Sequence, residues 1–155
     1  MHIRLIAIGT KMPAWVNDGY QEYAKRMPPE CALKLVEIPA EKRTKNSDIK
    51  KILYTEGQKI LDAIPKGEPF IALDINGRKW DTVQFAEELK QWKTCGHNIH
   101  LVIGGPEGLS PECIEKASRR WSLSPLTFPH PLVRIILAEQ LYRAWSLLTH
   151  RPYHR

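Results

Sequence analysis

The chain has 155 residues, of which 43% are hydrophobic and 26% are charged, as in a single globular domain with one core. Its three cysteines lack the spacing of a zinc site, so we expect free thiols, no metal and a cytoplasmic protein. The formal charge of +6 fits an RNA partner but also a protein that has none. We find no secretion signal and no unbroken apolar helix, and therefore expect no membrane partner.

Apolar runs of strand length alternate with helical patterns along the whole chain. Strands are predicted at residues 3–8, 33–38, 70–74, 99–103 and 121–123. Helices are predicted after Pro13, Ser47, Asp81, Ser110 and Pro131, with Ser47, Asp81 and Ser110 as N-caps, and Asn76-Gly77 is a predicted turn. This alternation is typical of an α/β domain, here residues 1–155, with a mostly parallel sheet flanked by helices.

The last predicted helix, residues 132–148, has hydrophobic side chains on nearly every side. A helix that packs on one face of a sheet needs only one apolar stripe, so this helix has to be covered on several sides. Either the same chain covers it or a second subunit does. We expect both, and therefore a homodimer with this helix in its interface, so that an aspartate in place of Trp145 would either bury a charge or split the dimer.

The loop after the fourth strand, residues 104–108, is rich in glycine. It matches neither the dinucleotide fingerprint nor the Walker loop, so it is not a predicted phosphate cradle. One interpretation is a bare tight turn. The other is a cleft in which Gly104 and Gly105 let a ligand approach the backbone. Leu73 and the proline-rich stretch 123–131 would form its other walls, around a flat heterocycle.

Few side chains suggest a catalytic group. The sequence has no nucleophile with an evident base and no carboxylate pair, which favours chemistry in which a cosubstrate carries the reactive group. The basic loop 40–47 is either a solvated connection or an arm that contacts phosphates. The tail 150–155 is either a frayed end or, with its ring, cations and imidazoles, part of an active site together with Arg143.

Several motifs, taken together, resemble the ribosomal RNA large-subunit methyltransferase H family. They are residues 7–13, 42–43, 45–46, 103–110, 121–124, 126–127, 129–134, 138–145 and 152–155. The resemblance implies a SPOUT fold with a C-terminal trefoil knot and a homodimer whose sites are built from both subunits. It also implies methyl transfer from S-adenosylmethionine to N3 of a pseudouridine, in a 23S rRNA stem-loop on the assembled ribosome.

The resemblance also implies residue roles. The cosubstrate would be held by Leu73, Gly104, Leu123, Ser124, Pro125, Leu126, Thr127 and Phe128, and the cleft interpretation of the glycine-rich loop adds Gly105. Independently of the resemblance, the basic loop and the cationic tail suggest phosphate contacts from Lys42, Arg43, Lys45 and Arg155.

For proton removal from N3, His154 is the first candidate and His130 the alternative. Arg143 and Arg155 would stabilise the developing negative charge, and Tyr153 would stack on the base or orient it. A non-catalytic nucleotide- or RNA-binding module and a methyltransferase that acts on tRNA stay open as alternatives.

Overall fold

The structure is a computed structural model that describes residues 1–154, without the side chain of His154. The predicted roles of that side chain and of Arg155 therefore lie outside the described residues. The strands are β1 (His2–Ile8), β2 (Ala32–Ile38), β3 (Phe70–Lys79), β4 (Ile99–Ile103) and β5 (Arg119–Ser122). The helices are α1 (Ala14–Ala24), α2 (Ile49–Asp62), α3 (Thr82–Thr94), α4 (Pro111–Lys116) and α5 (His130–Leu148), with 3-10 turns at Pro29–Cys31 and Pro152–His154.

The five strands form one sheet in the order β2-β1-β4-β3-β5, and every pairing is parallel. All five residues of β4 are buried, as expected of a central strand covered on both faces. The α/β prediction is therefore confirmed. Because the strands are parallel, the loops after β1, β2 and β4 all leave the sheet at the same side, the C-terminal end of the strands.

Helices cover both faces of the sheet over separate hydrophobic clusters. On one face α1, α3 and α5 bury side chains such as Tyr20, Leu89 and Leu141. On the other face α2 and α4 bury Ile60 and Cys113. The sequence pattern predicted this two-sided packing. The trefoil knot and the single-domain boundary stay predictions.

Two neighbouring helices of the same chain cover much of α5. Contacts with α1 and α3 bury its central residues, and Trp145 also lies in this core, only 7% exposed. Trp145 is therefore covered by its own chain, and the subunit interface expected along α5 stays a prediction. The N-terminal part of α5 is less covered, since Leu132 is 38% exposed. None of the helices within residues 1–154 combines the length and the hydrophobicity that a membrane-spanning helix needs.

Two local predictions were wrong. Asn76-Gly77 is not a free turn, because β3 continues to Lys79 and a Cβ on Gly77 would lie 2.6 Å from the backbone of Arg120. Glycine is required there for close packing against β5. The N-cap of α2 is Asp48, which accepts hydrogen bonds from the backbone N–H groups of Lys50 and Lys51, whereas the Ser47 hydroxyl accepts one from Thr44 N–H.

Candidate active site

A cavity of about 500 Å³ lies beside the C-terminal ends of β4 and β5. Its walls come from β3, from the loop after β4, from the segment between β5 and α5, and from the first turn of α5. They are Leu73, Asp74, Ile75, Ile103, Gly104, Gly105, Pro106, Gly108, Trp121, Ser122, Leu123, Ser124, Leu126, Thr127, Phe128, Pro129, His130, Pro131 and Val133. The volume is within the usual range for small-molecule sites.

The cavity brings together the residues that the sequence predicted for the cosubstrate. The predicted residues that line it are Leu73, Gly104, Gly105, Leu123, Ser124, Leu126, Thr127 and Phe128. Pro125, also predicted, is exposed and is not among the lining residues. Sequence reasoning missed Trp121 and Val133, and only their nearness to the strand and helix ends could have suggested them.

The segment between β5 and α5 is shaped by its own serines. The Ser122 hydroxyl donates to the carbonyl of Ser124 over 3.0 Å. The Ser124 hydroxyl accepts from the backbone N–H of Leu126, also over 3.0 Å. These bonds stabilise a bend that leaves the Leu126 side chain 70% exposed at the cavity. The segment therefore offers an apolar wall held by local hydrogen bonds.

Gly104 is required for the shape of the loop itself. A Cβ on Gly104 would lie 2.4 Å from the backbone of Gly108, which is closer than real Cβ contacts come. The chain folds back through a tight turn in which Gly108 N–H donates to the carbonyl of Gly105, and Gly108 has a φ of +84°. The structure thus gives a different reason for this glycine from the ligand approach that we expected, because the obstacle is the loop's own backbone.

Both ring nitrogens of His130 are hydrogen-bonded. Nδ1 lies 2.7 Å from the Gly104 carbonyl, and Nε2 lies 3.0 Å from Nε of Arg134. Burial, together with the Arg134 charge, lowers the pKa of His130, although the bond to Gly104 opposes this. His130 lines the cavity, but neither nitrogen is free to take a proton from a substrate. This geometry counts against His130 as the alternative base.

Arg43 is held by carboxylates and is not available to phosphate. Its Nε–H and one terminal N–H donate to Glu107, and other N–H groups donate to Glu56 and to the carbonyl of Glu41, all within 3.2 Å. These bonds use all five guanidinium donors. Arg43 thereby ties the basic loop and α2 to the turn beside the cavity, so the expected phosphate contact is corrected to a structural clamp. Glu56, 2% exposed, belongs to this clamp and was missed because it sits in a helical pattern.

Lys42 and Lys45 flank Arg43 and are both exposed. Neither takes part in the ion pairs found among residues 1–154. They remain the expected phosphate contacts of this loop. Across the same described residues, no group of three or more His, Cys, Asp or Glu side chains is arranged to hold a metal ion.

A second cluster lies at the C-terminal end of α5. Glu139 accepts hydrogen bonds from Arg143 Nε–H over 2.8 Å and from the Tyr153 hydroxyl over 3.2 Å. The Arg143 guanidinium lies over the Tyr153 ring, 5.2 Å from its centroid, and Tyr142 packs edge-on against that ring. The structure therefore brings the predicted residues Arg143 and Tyr153 together. It also adds Glu139, which the i,i+4 spacing to Arg143 could have revealed.

The cavity and this cluster are far apart within one chain. His130 starts α5 and Arg143 lies near its end. An α-helix rises about 1.5 Å per residue, so the two residues lie about 20 Å apart along the helix axis. A small ligand in the cavity cannot reach Arg143 or Tyr153 of the same chain over that distance.

Comparison with known proteins decides the family. The family described as Predicted SPOUT methyltransferase matches residues 1–154. The chain belongs to the SPOUT methyltransferase family. It is 54% identical over 155 residues to the Ribosomal RNA large subunit methyltransferase H of Marinomonas sp. (strain MWYL1), and the match covers 100% of both chains. The chain is therefore a methyltransferase.

A solved structure supports the fold. It is described as a probable methylase family protein from Haemophilus influenzae Rd KW20, and it superimposes with a TM-score of 0.57. The match covers 99% of this chain and 70% of that one, at 13% identity. At that identity the likeness concerns the fold alone, and it agrees with the parallel sheet flanked by helices.

Proposed function

We propose that this SPOUT methyltransferase transfers a methyl group from S-adenosylmethionine to N3 of a pseudouridine in a 23S rRNA stem-loop of the assembled ribosome. One observation carries the proposal. The residues expected to hold the cosubstrate, all but Pro125, line one cavity in a chain that is 54% identical throughout to a ribosomal RNA large subunit methyltransferase.

The cavity suits S-adenosylmethionine in size and chemistry. About 500 Å³ is enough for a nucleoside with a short side arm, and apolar walls such as Leu123 and Phe128 can enclose an aromatic base. Backbone groups of Gly104 and of the segment 123–128 can recognise the edges of that base. When bound there, S-adenosylmethionine supplies an electrophilic methyl group on its sulfonium.

The chain itself has to place the pseudouridine and accept its proton. In-line placement of N3 removes much of the entropic barrier to transfer. His154 is our proposed base, and the positive charges of Arg143 and Arg155 would stabilise the anion as the N3 proton leaves. Tyr153 would stack on the pseudouridine ring of the substrate, and its hydrogen bond to Glu139 would hold the tyrosine in orientation. The paired ring nitrogens of His130 make that imidazole the weaker candidate.

A homodimer would join the two parts of the site. Because the cavity and the Arg143 cluster lie about 20 Å apart along α5, each active site would combine the cavity of one subunit with the tail of its partner. The less covered N-terminal part of α5, with the exposed Leu132, is our proposed contact area. Lys42 and Lys45 would contact phosphates of the rRNA.

The decisive experiment measures methyl transfer from labelled S-adenosylmethionine to three substrates. They are intact ribosomes from cells that lack the gene, free 23S rRNA, and tRNA. We expect transfer to intact ribosomes, at one pseudouridine that mass mapping places in a 23S stem-loop. Transfer to tRNA alone would contradict the rRNA target, and binding without transfer to any substrate would favour a non-catalytic module.

A further inference from the structure

Arg134 is a fully buried cation that the proposed chemistry does not use. It sits in α5 at 0% exposure and donates to three acceptors, each from a different part of the chain. Nε donates to His130 Nε2 over 3.0 Å, one terminal nitrogen to Glu37 over 2.7 Å and the other to the Gly9 carbonyl over 2.8 Å. Burying a guanidinium is unfavourable unless it is paired, so the pairing of each of its three nitrogens indicates a specific role.

The bond from Arg134 determines which nitrogen of His130 carries the proton. A guanidinium only donates hydrogen bonds, so His130 Nε2 has to accept and carries no hydrogen. The neutral imidazole then has its hydrogen on Nδ1, which donates to the Gly104 carbonyl 2.7 Å away. Both His130 and Gly104 line the cavity, so this bond lies in its wall.

We propose that Arg134 is a positioning residue for cosubstrate binding, which holds His130 in the Nδ1–H tautomer and thereby fixes the Gly104 peptide in the wall of the cavity. This inference rests on the proposed function, because it takes the cavity to be the S-adenosylmethionine site.

The expected gain in cosubstrate affinity comes from preorganisation of the cavity wall. A peptide unit is planar, so fixing the Gly104 carbonyl also fixes the direction of the N–H group of Gly105. The Arg134 relay, meaning Glu37, Arg134, His130 and the Gly104 carbonyl, connects the ends of β2 and β4 to the start of α5. A loop that is already fixed loses less entropy when a ligand binds, and this raises affinity without any new contact.

The tautomer is tested on the unmodified protein by nitrogen-15 NMR of the histidine rings at neutral pH. We expect His130 to show a protonated Nδ1 and an unprotonated Nε2. A ring protonated on Nε2, or on both nitrogens, would overturn the proposal whether or not S-adenosylmethionine binds. This measurement needs no variant and no ligand.

The consequence for binding is tested by Arg134→Lys, which keeps a cation near Glu37 and Gly9 but removes the guanidinium Nε–H. Arg4→Lys is the matched control, because Arg4 also donates to a buried histidine, His100 Nδ1 over 3.1 Å, away from the cavity. Calorimetry should show S-adenosylmethionine affinity reduced roughly tenfold in Arg134→Lys and unchanged in Arg4→Lys. Turnover at saturating cosubstrate should stay within about twofold of the unmodified enzyme, as expected for a binding effect.

The possible results separate the two proposals. If a folded Arg134→Lys protein binds S-adenosylmethionine as tightly as the unmodified one, the relay proposal is wrong and the proposed function stands. If the unmodified protein does not bind S-adenosylmethionine at all, the proposed function is wrong as well. If Arg134→Lys does not fold, the NMR result on the unmodified protein decides the relay.

Discussion

The two ends of α5 are built in different ways. At its start, the cavity is made of backbone and small or apolar side chains, and its polar groups such as His130 already have partners within the chain. At its end, Glu139, Arg143 and Tyr153 form a side-chain cluster at the surface, next to a short tail. The first end is a cavity with a wall held by hydrogen bonds, which we propose as the S-adenosylmethionine site. The second is a set of charged and aromatic groups suited to act on something that arrives from outside.

In the proposed homodimer, this difference would divide the work between the cavity of one subunit and the tail of its partner. Cosubstrate binding needs a rigid wall, which the ends of parallel strands provide. Proton transfer and charge stabilisation need groups that can approach the substrate base, which a tail provides. Because about 20 Å of helix separates the two within one chain, a change at one end of α5 should affect one function and spare the other.

Deleting residues 153–155 should have the largest effect. It removes the Tyr153 ring, proposed to stack on the pseudouridine, and His154, the proposed general base. We expect methyl transfer to ribosomes to fall by about 10²–10⁴-fold. Affinity for S-adenosylmethionine should stay within about twofold, because the cavity lies at the other end of α5. Thermal stability should fall slightly, since the Tyr153 ring packs on Tyr142.

Tyr54→Ala is the control for this deletion, because Tyr54 is a surface ring on α2, 53% exposed. It should leave transfer unchanged. A tail-deleted enzyme that methylates ribosomes at the normal rate would show that the catalytic groups lie elsewhere.

Mixing two inactive variants tests whether the site is shared. Thr127→Trp should fill the cavity from an exposed position and block cosubstrate binding, while the tail deletion leaves the cavity intact. In random heterodimers one of the two sites would have both a normal cavity and a normal tail. Steady-state assays of the re-equilibrated mixture should therefore recover roughly a quarter of the normal activity. Recovery close to zero would indicate sites within single subunits.

Gly104→Ala should damage the cavity end alone. Its Cβ would meet the backbone of Gly108 at 2.4 Å, and we expect a loss of about 1–3 kcal/mol in the free energy of unfolding. Affinity for S-adenosylmethionine should fall with it. Gly67→Ala is the control, since that Cβ would meet no atom within 4 Å, although the φ of +86° gives strain of about 1–2 kcal/mol. Denaturant unfolding and calorimetry on both variants would show whether the affinity loss is specific to Gly104.

Lysine and arginine of the basic loop should behave differently. Replacing Lys42 and Lys45 with alanine should weaken ribosome binding and reduce the slope of log K against log salt by about 1 for each lysine on a phosphate. Arg43→Gln should leave that slope unchanged and lower thermal stability, because its N–H groups bond to Glu56 and Glu107. An equal change of slope in Arg43→Gln would restore it as a phosphate contact.

The smallest effect concerns pH. The hydrogen bond from Arg43 holds the pKa of Glu107 below its ordinary 4.5. A lowered acid pKa means that the stabilisation is complete above the ordinary value and is lost as pH falls through the folded-state value. The melting-temperature difference between the unmodified protein and Glu107→Gln should therefore be constant above about pH 4.5 and shrink in more acidic solution. If this melting-temperature difference stayed constant in more acidic solution, the charge of Glu107 would not be the source of the stabilisation.

The sequence by itself determined the order of strands and helices and most of the residues around the cavity. Apolar runs such as 99–103 have the period and length of buried strands, and the glycines after them end those strands. The capping box of α3, in which Asp81 accepts from Gln84 N–H, was also readable because it depends on residues three apart. The motifs of the last third of the chain identified the family for the same reason, since they are local.

Tertiary structure decided what the polar and small residues do. Arg43 looked like a phosphate contact until Glu56 and Glu107, distant in sequence, were found to bind it. Gly77 looked like a turn until β5 was found packed against it. Partners of this kind come from chain segments far apart in sequence, and local patterns carry no information about them. The same holds for Arg134, whose acceptors at Gly9 and Glu37 lie about a hundred residues away along the chain. They meet Arg134 only because the C-terminal ends of parallel strands lie on the same side of the sheet.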